Sequence, residues 1–181
     1  MTAEEVIWVR YDWDVTELKC DLQVPSGYSF RSARNDELDT VIKVVLTAYA
    51  SDPVWTPLIS AINKRMTERI STTLGTLGMD YLVAEFNGSL VAVCGVATKH
   101  WTDQNLVTGL CVLPAHQRKG LGRCLLGMSL MRLREFGLTH ARVYTEFGSV
   151  ADRNLYPMYG STRVEGAEYP GAKRNPRERK K

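Results

Sequence analysis

The 181-residue chain lacks any apolar run long enough to cross a membrane. A membrane-spanning helix needs about 18 to 20 consecutive apolar residues, and the apolar stretches here are all shorter. Residues 1–5 are acidic, and no basic-then-apolar profile of a secretory signal peptide follows them. We therefore expect a cytoplasmic protein with no membrane partner.

Residues that form metal sites and disulfide bonds are also scarce. The four cysteines are scattered without a C-x-x-C pair, and the three histidines form no cluster near them. This pattern excludes a zinc site of the usual spacing and a disulfide framework. It predicts that no metal takes part in the function and that the compartment is reducing.

Two common phosphate-binding motifs, G-x-x-x-x-G-K-[ST] and G-x-G-x-x-G, are missing. In their place, an apolar run ending at Leu113 is stopped by Pro114 and is followed by the turn 117–122, whose glycines are Gly120 and Gly122. An apolar-periodic helix begins there. A helix start brings free backbone N–H groups and the positive end of the helix dipole to one point, and glycine allows a close backbone approach. The segment predicts a pyrophosphate site, with a ligand-free strand–turn–helix corner as the alternative.

Residues 110–126, L-C-V-L-P-A-H-Q-R-K-G-L-G-R-C-L-L, resemble the Q/R-x-x-G-x-G/A acetyl-CoA signature of the GNAT (Gcn5-related N-acetyltransferase) superfamily. The resemblance implies that acetyl-CoA is the co-substrate. Backbone groups of the turn would hold its pyrophosphate, and main-chain groups around Leu110 and Val112 would pair with its pantetheine arm and polarise the thioester. The candidate binding residues are Leu110, Cys111, Val112, Gln117, Arg118, Lys119, Gly120, Leu121, Gly122 and Arg123.

The apolar patterns along the chain predict an α/β (α+β) fold. Helical spacing indicates a helix ending near Tyr49, a second starting at Thr56-Pro57, and a third over 121–136. Strand-like runs surround Asn87-Gly88, a strong hairpin signal, and a further strand is predicted over 106–113 with Gly109 as a bulge. The element order matches the GNAT fold, which implies a mixed, mostly antiparallel sheet flanked by helices and splayed at the central strands.

We expect the GNAT domain to occupy residues 27–170. Residues 1–26 form an extension with strand-like runs at 6–11 and 18–24, while the strand that usually ends the family's domain is missing. We hypothesise that the extension supplies sheet edge that the C-terminal part lacks, either within the chain or across a homodimer. Residues 171–181 hold six basic residues and one acidic residue, which predicts a disordered tail. Nucleic acid is not expected as a partner apart from this tail.

Tyr156 is the expected general acid. The segment L-Y-P-M-Y-G over 155–160 resembles the family's L-Y-x-x-x-G-F, and Tyr156 follows Gln117 by 39 residues, a typical separation. A phenol with a pKa near 10 suits the return of a proton to a departing thiolate. Ser161 replaces the usual phenylalanine of this pattern, so Tyr159 is the fallback and a core tyrosine the alternative.

The sequence does not identify a single general base. Leu106 stands eleven residues before Gln117, where some family members have a glutamate, and it cannot accept a proton. A water chain to an amine of lowered pKa is one alternative. The candidate bases are Glu146 and Asp103, followed by His100 and Glu85.

The acceptor side is expected between the two helices of residues 36–74 and the connection that contains Trp101. Tyr49, Trp55 and Trp101 would form an aromatic wall, with Asp52 as a carboxylate for a cationic amine. We expect an acetyl-CoA-dependent N-acetyltransferase that transfers acetyl directly to a primary amine of a small molecule or peptide. A catalytically silent acyl-CoA-binding module is the alternative. An RNA- or ribosome-associated protein recruited by the basic tail is a third hypothesis.

Overall fold

The computed structural model describes residues 6–170, so the basic tail predicted for 171–181 lies outside the described residues. Seven strands and four α-helices alternate along this part of the chain. The elements are β1 (Trp8–Asp14), β2 (Tyr28–Ser32), α1 (Leu38–Ala50), α2 (Ile59–Thr73), β3 (Met79–Phe86), β4 (Ser89–Ala97), β5 (Cys111–Val112), α3 (Leu121–Glu135), β6 (His140–Glu146), α4 (Val150–Asn154) and β7 (Thr162–Glu165). In the described part, no helix combines the length and the apolar character that crossing a membrane requires.

The strands form two antiparallel sheets, in the orders β2-β3-β4-β5 and β6-β1-β7. Helices α1 and α2 cover one face of the larger sheet, and α3 covers the opposite face. The sheets separate between β5 and β6, where residues 6–170 provide no ladder of strand hydrogen bonds. The predicted mixed α/β fold, flanked by helices and splayed at its central strands, is confirmed.

The long hairpin β3–β4 forms the middle of the larger sheet. Its turn uses Asn87 and Gly88, both with positive φ (49° and 75°), the conformation that a two-residue hairpin turn requires. Seven consecutive residues of β4, from Val91 to Ala97, are buried, because helices cover both faces of this strand. The hairpin prediction is confirmed.

Strand β1 lies in the middle of the second sheet. It pairs with β6 from Trp8↔Glu146 to Asp14↔His140 and with β7 on its other edge. Alternate residues Val9, Tyr11 and Trp13 are fully buried in the core cluster that also contains α3. The strand-like segment near the N-terminus therefore completes a sheet within the chain, as a central strand rather than as an edge.

The second run of the extension, 18–24, is not a strand, contrary to the prediction. It crosses α3 as irregular chain: the Cys124 thiol donates to the Gln23 carbonyl at 2.9 Å, and a Cβ on Gly127 would lie 2.5 Å from Leu22. Its apolar side chains pack against α3. Such packing does not require the backbone to form hydrogen bonds with a neighbouring strand. The missing side chain of Gly127 provides the space for this crossing.

Two predicted element limits were wrong for local reasons. The second helix begins at Ile59 rather than at Thr56-Pro57, because the Asp52 side chain caps Val54 N–H at 3.1 Å and starts a 3₁₀ turn over Pro53–Leu58. The strand predicted over 106–113 shrinks to Cys111–Val112. Gly109, at φ +70°, breaks the ladder there, and only a single bridge joins Leu106 to Val96.

We predict that Val9→Asp abolishes the fold, because it places an unpaired carboxylate at a fully buried position between two strands. The loss should be at least about 3 kcal/mol of unfolding free energy. Arg10→Thr, at a half-buried position on the opposite face of the same strand, loses an ion pair with Asp12 and should stay within about 1 kcal/mol of the wild type. Guanidinium unfolding followed by circular dichroism measures both, and equal midpoints for the two variants would contradict the central placement of β1.

Candidate functional site

A cavity of about 580 Å³ occupies the gap between the two sheets. The sheets are joined at one end, where Asn105 N–H donates to the Arg142 carbonyl at 2.7 Å and Arg142 N–H donates to Asn105 Oδ1 at 2.9 Å. From there they diverge toward the start of α3. Three parts of the chain line the cavity as its walls. The first is the turn before α3, and the second is the outer edge of β5. The third is formed by α1, α2 and the segment between them, and the part of the cavity beneath these helices is called the chamber here.

The turn before α3 offers unoccupied backbone donors. Gly120 is the N-cap at φ +86°, a left-handed conformation that glycine adopts without strain, and no side chain of residues 6–170 caps the first turn of α3. A Cβ on Gly122 would lie 3.1 Å from the Leu155 side chain, so glycine also allows α3 to approach the α4 segment. Of the ten predicted binding residues, all but Lys119 line the cavity.

The outer edge of β5 supplies the second wall. Leu113 N–H donates to the Val91 carbonyl at 2.9 Å, so strand alternation turns the N–H groups of Leu110 and Val112 away from β4. Gln117 Nε2 donates to the Val112 carbonyl at 3.0 Å and so fixes the turn to this strand. The signature glutamine therefore acts as a structural clamp between the two walls.

Tyr156 lies at the centre of the gap with only 2% of its surface exposed. A Cβ on Gly109 would lie 3.6 Å from the Tyr156 hydroxyl, so this hydroxyl borders the loop that leads into β5. Burial raises the pKa of Tyr156 well above its ordinary value. The phenol therefore stays protonated at neutral pH, as a proton donor must.

Strand β1 fixes the segment that carries Tyr156. The Tyr11 hydroxyl donates to Asp152 Oδ1 at 2.6 Å, and Trp13 Nε1 donates to the Met158 carbonyl at 2.9 Å. Burial would raise the pKa of Asp152, but hydrogen bonds from Arg163, Tyr11 and a backbone amide lower it. The aromatic rings of β1 also contact that of Tyr156, at centroid distances of 5.6 Å for Tyr11 and 6.0 Å for Trp13.

Two side chains from the helices reach the loop that leads into β5. The Tyr49 hydroxyl donates to the Thr108 carbonyl at 2.8 Å, and the Arg69 guanidinium donates to the Val107 carbonyl. A Cβ on Gly109 would lie 3.3 Å from the Tyr49 hydroxyl, so the hydroxyls of Tyr49 and Tyr156 both border this glycine. Sequence reasoning used Gly109 only as a bulge signal.

The chamber beneath α1 and α2 has an aromatic lining. Ring centroids are 5.6 Å apart for Tyr49–Trp55, 4.3 Å for Trp8–Tyr169 and 5.1 Å for Tyr144–Tyr169. Tyr49, Trp55 and Asp52 line the cavity as predicted. Trp101 does not: it is 49% exposed and packs on His100.

Sequence reasoning missed three of these rings, those of Trp8, Tyr144 and Tyr169. The alternation of buried positions in β1 and β6 places Trp8 and Tyr144 on the face opposite to Tyr11 and Val143. The alternation of large apolar residues along 8–13 and 141–144 is visible in the sequence. It locates Trp8 and Tyr144 at the cavity only once the pairing of β1 with β6 is known.

Glu146, at the end of β6, has the properties of a buried carboxyl near the chamber. Its Oε2 is buried and accepts no hydrogen bond from residues 6–170. Burial, and then the charge of Asp52, raise the pKa of Glu146 above its ordinary value. Glu146 itself does not line the cavity, but its chain neighbour Thr145 and the nearby Asp52 do.

The other candidate bases lie elsewhere. Asp103 forms an ion pair with Arg142 at 2.7 Å beside a separate pocket, and Glu85 forms one with Arg31 at 2.9 Å. His100 is hydrogen-bonded to the Thr102 hydroxyl at 2.5 Å and does not line the cavity. Burial and the charge of Arg69 lower the pKa of His100 to about 4.

Tyr159, the fallback for the acid, also points elsewhere. Its hydroxyl donates to the Arg123 carbonyl at 3.1 Å and lies 3.1 Å from the position of a Cβ on Gly127 of α3. Tyr159 itself does not line the cavity. Of the two tyrosines in the signature segment, Tyr156 is the one whose hydroxyl borders the cavity.

Comparison with known families and structures gives consistent results. Residues 78–160 match the model of the acetyltransferase (GNAT) domain family. A search of curated proteins gives no match. Among solved structures, a GNAT-family acetyltransferase from Colwellia psychrerythraea is 18% identical with a TM-score of 0.62, covering 89% of this chain and 54% of that chain.

Two further structures are similar over most of this chain. A Drosophila protein is 16% identical with a TM-score of 0.60, covering 88% of this chain and 49% of that one. A GCN5-related N-acetyltransferase from Kribbella flavida is 14% identical with a TM-score of 0.53, covering 88% and 59%. At these identities the likeness concerns the fold. The chain spans only about half the length of these structures.

Proposed function

We propose that this chain is a member of the GNAT superfamily and an acetyl-CoA-dependent N-acetyltransferase acting on a primary amine, as the family match of residues 78–160 and the shared fold support. The observation that carries the proposal is one cavity shared by the uncapped start of α3, the unpaired edge of β5 and the buried hydroxyl of Tyr156. A strand–turn–helix corner without a ligand does not require these three features together.

The chain has the groups that acetyl-CoA requires. The amides at the start of α3 and the dipole of this 15-residue helix would hold the pyrophosphate, and Arg118 and Arg123 would add positive charge beside it. The outward N–H of Val112 would pair with the pantetheine arm. Acetyl-CoA supplies an acetyl group activated as a thioester, and all further chemistry must come from the side chains and backbone of the cavity.

Tyr156 is proposed as the general acid. When the acceptor nitrogen attacks the thioester carbonyl, the C–N bond forms and the C–S bond breaks, and the departing sulfur requires a proton. The Tyr156 phenol is kept protonated by burial. Burial has the larger effect on the pKa of Tyr156, but the nearby Leu110 backbone lowers that pKa and would stabilise the phenolate while the proton is transferred.

Glu146 is proposed as the general base, acting directly or through a water. Its unpaired buried oxygen has a free acceptor site, and a raised pKa makes its carboxylate a better proton acceptor than an ordinary glutamate. Asp103, the other leading candidate, already accepts a hydrogen bond from Arg142 outside the cavity.

We predict that Gly120→Asp abolishes CoA binding, because it adds a negative side chain at the helix start where the pyrophosphate would lie. Isothermal calorimetry with CoA measures the affinity. Gly137→Asp is the matched control, since Gly137 has a similar φ of +87° at the other end of α3 and open space around it. Unchanged CoA affinity in Gly120→Asp would show that this turn does not bind CoA.

We predict that Tyr156→Phe lowers kcat by about 100-fold and leaves CoA affinity within about twofold, since only the proton donor is lost. A thiol-release assay with a panel of amines measures turnover. Tyr159→Phe is the control and should keep the wild-type rate. An unchanged kcat in Tyr156→Phe would move the acid role elsewhere, and CoA binding without turnover on any amine would favour a catalytically silent acyl-CoA-binding module.

We predict that Glu146→Gln lowers kcat/KM and removes the acidic limb of its pH profile. In the wild type, kcat/KM should rise as Glu146 loses its proton, at a pKa above the ordinary value of 4.5. The second rise, from deprotonation of the acceptor amine at higher pH, should remain in the variant. Asp103→Asn should keep the wild-type profile, and a limb lost in Asp103→Asn instead would reverse the assignment.

A further inference from the structure

Arg69 is a buried cation that faces the cavity without a counter-charge among residues 6–170. Only 8% of its surface is exposed, and it lines the cavity. The ion pairs formed within residues 6–170 include none to Arg69, and the hydrogen bond that its guanidinium makes there goes to the Val107 carbonyl. Burial lowers the pKa of Arg69, since taking a charge out of water costs free energy.

A role in holding the loop does not account for an arginine at this position. One neutral donor would satisfy the Val107 carbonyl, as the Tyr49 hydroxyl satisfies the neighbouring Thr108 carbonyl. An arginine guanidinium carries five N–H donors in a planar fork that matches a carboxylate in bidentate geometry. Its remaining donors are therefore available for an anion that enters the cavity.

The guanidinium lies close to the proposed reaction centre. Arg69 binds the carbonyl of residue 107, Tyr49 binds that of residue 108, and the hydroxyls of Tyr49 and Tyr156 border Gly109. Residues 107 and 109 can be at most about 7 Å apart along the chain. Arg69 contacts the first and Tyr156 borders the second, so a small molecule could reach from the guanidinium to the phenol.

We propose that Arg69 binds the carboxylate of the acceptor, so that the acceptor is a free amino acid rather than a simple amine or a lysine side chain. This inference rests on the proposed acetyltransferase function and specifies its substrate class. Arg69 acts as a specificity-determining residue. It holds the carboxylate while the amino group faces Tyr156.

The rest of the chamber fits a zwitterion with an apolar side chain. Asp52 lines the cavity and Glu146 lies near it, so negative charge is available for the ammonium group before it loses its proton. Trp8, Trp55 and Tyr169 provide flat apolar surface. An acceptor with charges of both signs and an aromatic side chain would match all three sets of groups.

The test compares each amino acid with its own amide, which has nearly the same shape and no carboxylate. Glycine is paired with glycinamide, and phenylalanine with phenylalaninamide. The amide's amino group is the weaker base and is more deprotonated near neutral pH, so intrinsic reactivity favours the amide. We expect the wild type to prefer the acid by at least about 10-fold in kcat/KM, the range of one charge-assisted hydrogen-bond pair.

Arg69→Gln should remove this preference, chiefly by raising KM for the acid, while turnover of the amide shows that the variant is folded and active. Arg69→Lys should keep part of the preference, because it keeps the charge and loses the fork. Arg134→Gln, the same change at an exposed position on the far side of α3, should behave as the wild type.

The outcomes separate the inference from the function on which it rests. If the wild type acetylates amides as well as acids, or prefers 2-aminoethyl phosphate, the carboxylate site is wrong and the acetyltransferase stands. If no amine is acetylated, the proposed function fails. The inference is then decided by calorimetry of phenylalanine and phenylalaninamide binding to the CoA-loaded protein. Binding of the acid alone, lost in Arg69→Gln, supports it, and equal or absent binding overturns it.

Discussion

The site depends on a sheet that is held together at one end and open at the other. Asn105 bonds the β6 backbone through both its N–H and its side chain, and beyond this point the two sheets diverge. A strand edge without a partner normally costs free energy or attracts another strand. Here Gln117 satisfies the outward carbonyl of Val112, and the remaining outward groups of β5 face the cavity. The backbone hydrogen bonds at Asn105 and the Gln117 side chain on Val112 therefore determine the gap, and its existence does not depend on the size of the side chains that line it.

Charged groups of both signs lie at or near this gap, and residues 6–170 compensate each of them only in part. Arg69 has a carbonyl as its partner, and Glu146 has a buried oxygen without a donor among residues 6–170. In a low-dielectric cavity such groups interact strongly with a ligand of opposite charge, and they are costly when left alone. Stability is therefore lost at positions where ligand contacts can restore it, a common arrangement at functional sites.

The turn before α3 could be predicted from the sequence because its determinants are local. The strand, the proline stop and the two glycines of the turn lie within 17 consecutive residues, and hydrogen bonds within that segment fix its shape. The chamber beneath α1 and α2 could not be predicted, because it combines residues of α2, β1 and β6. In the sequence, Arg69 is indistinguishable from the other polar residues of an amphipathic helix. Its role becomes visible only when the structure shows its contact with the Val107 carbonyl. Likewise, 106–113 has the composition of a full strand, and only the positive φ of Gly109 shortens it.

The position of β1 has a consequence for the order in which the structure can form. Trp8 pairs with Glu146 and Val9 with Glu165, so the second sheet closes the longest loops in the described chain. The β3–β4 hairpin and its helices require only local closure and can assemble earlier. Until β6 and β7 pair with it, β1 presents two unpaired edges and a row of large apolar side chains. Newly made or partly unfolded chains would therefore expose a segment suited to exchange between copies, and the cavity between the sheets would be the last part of the molecule to acquire its shape.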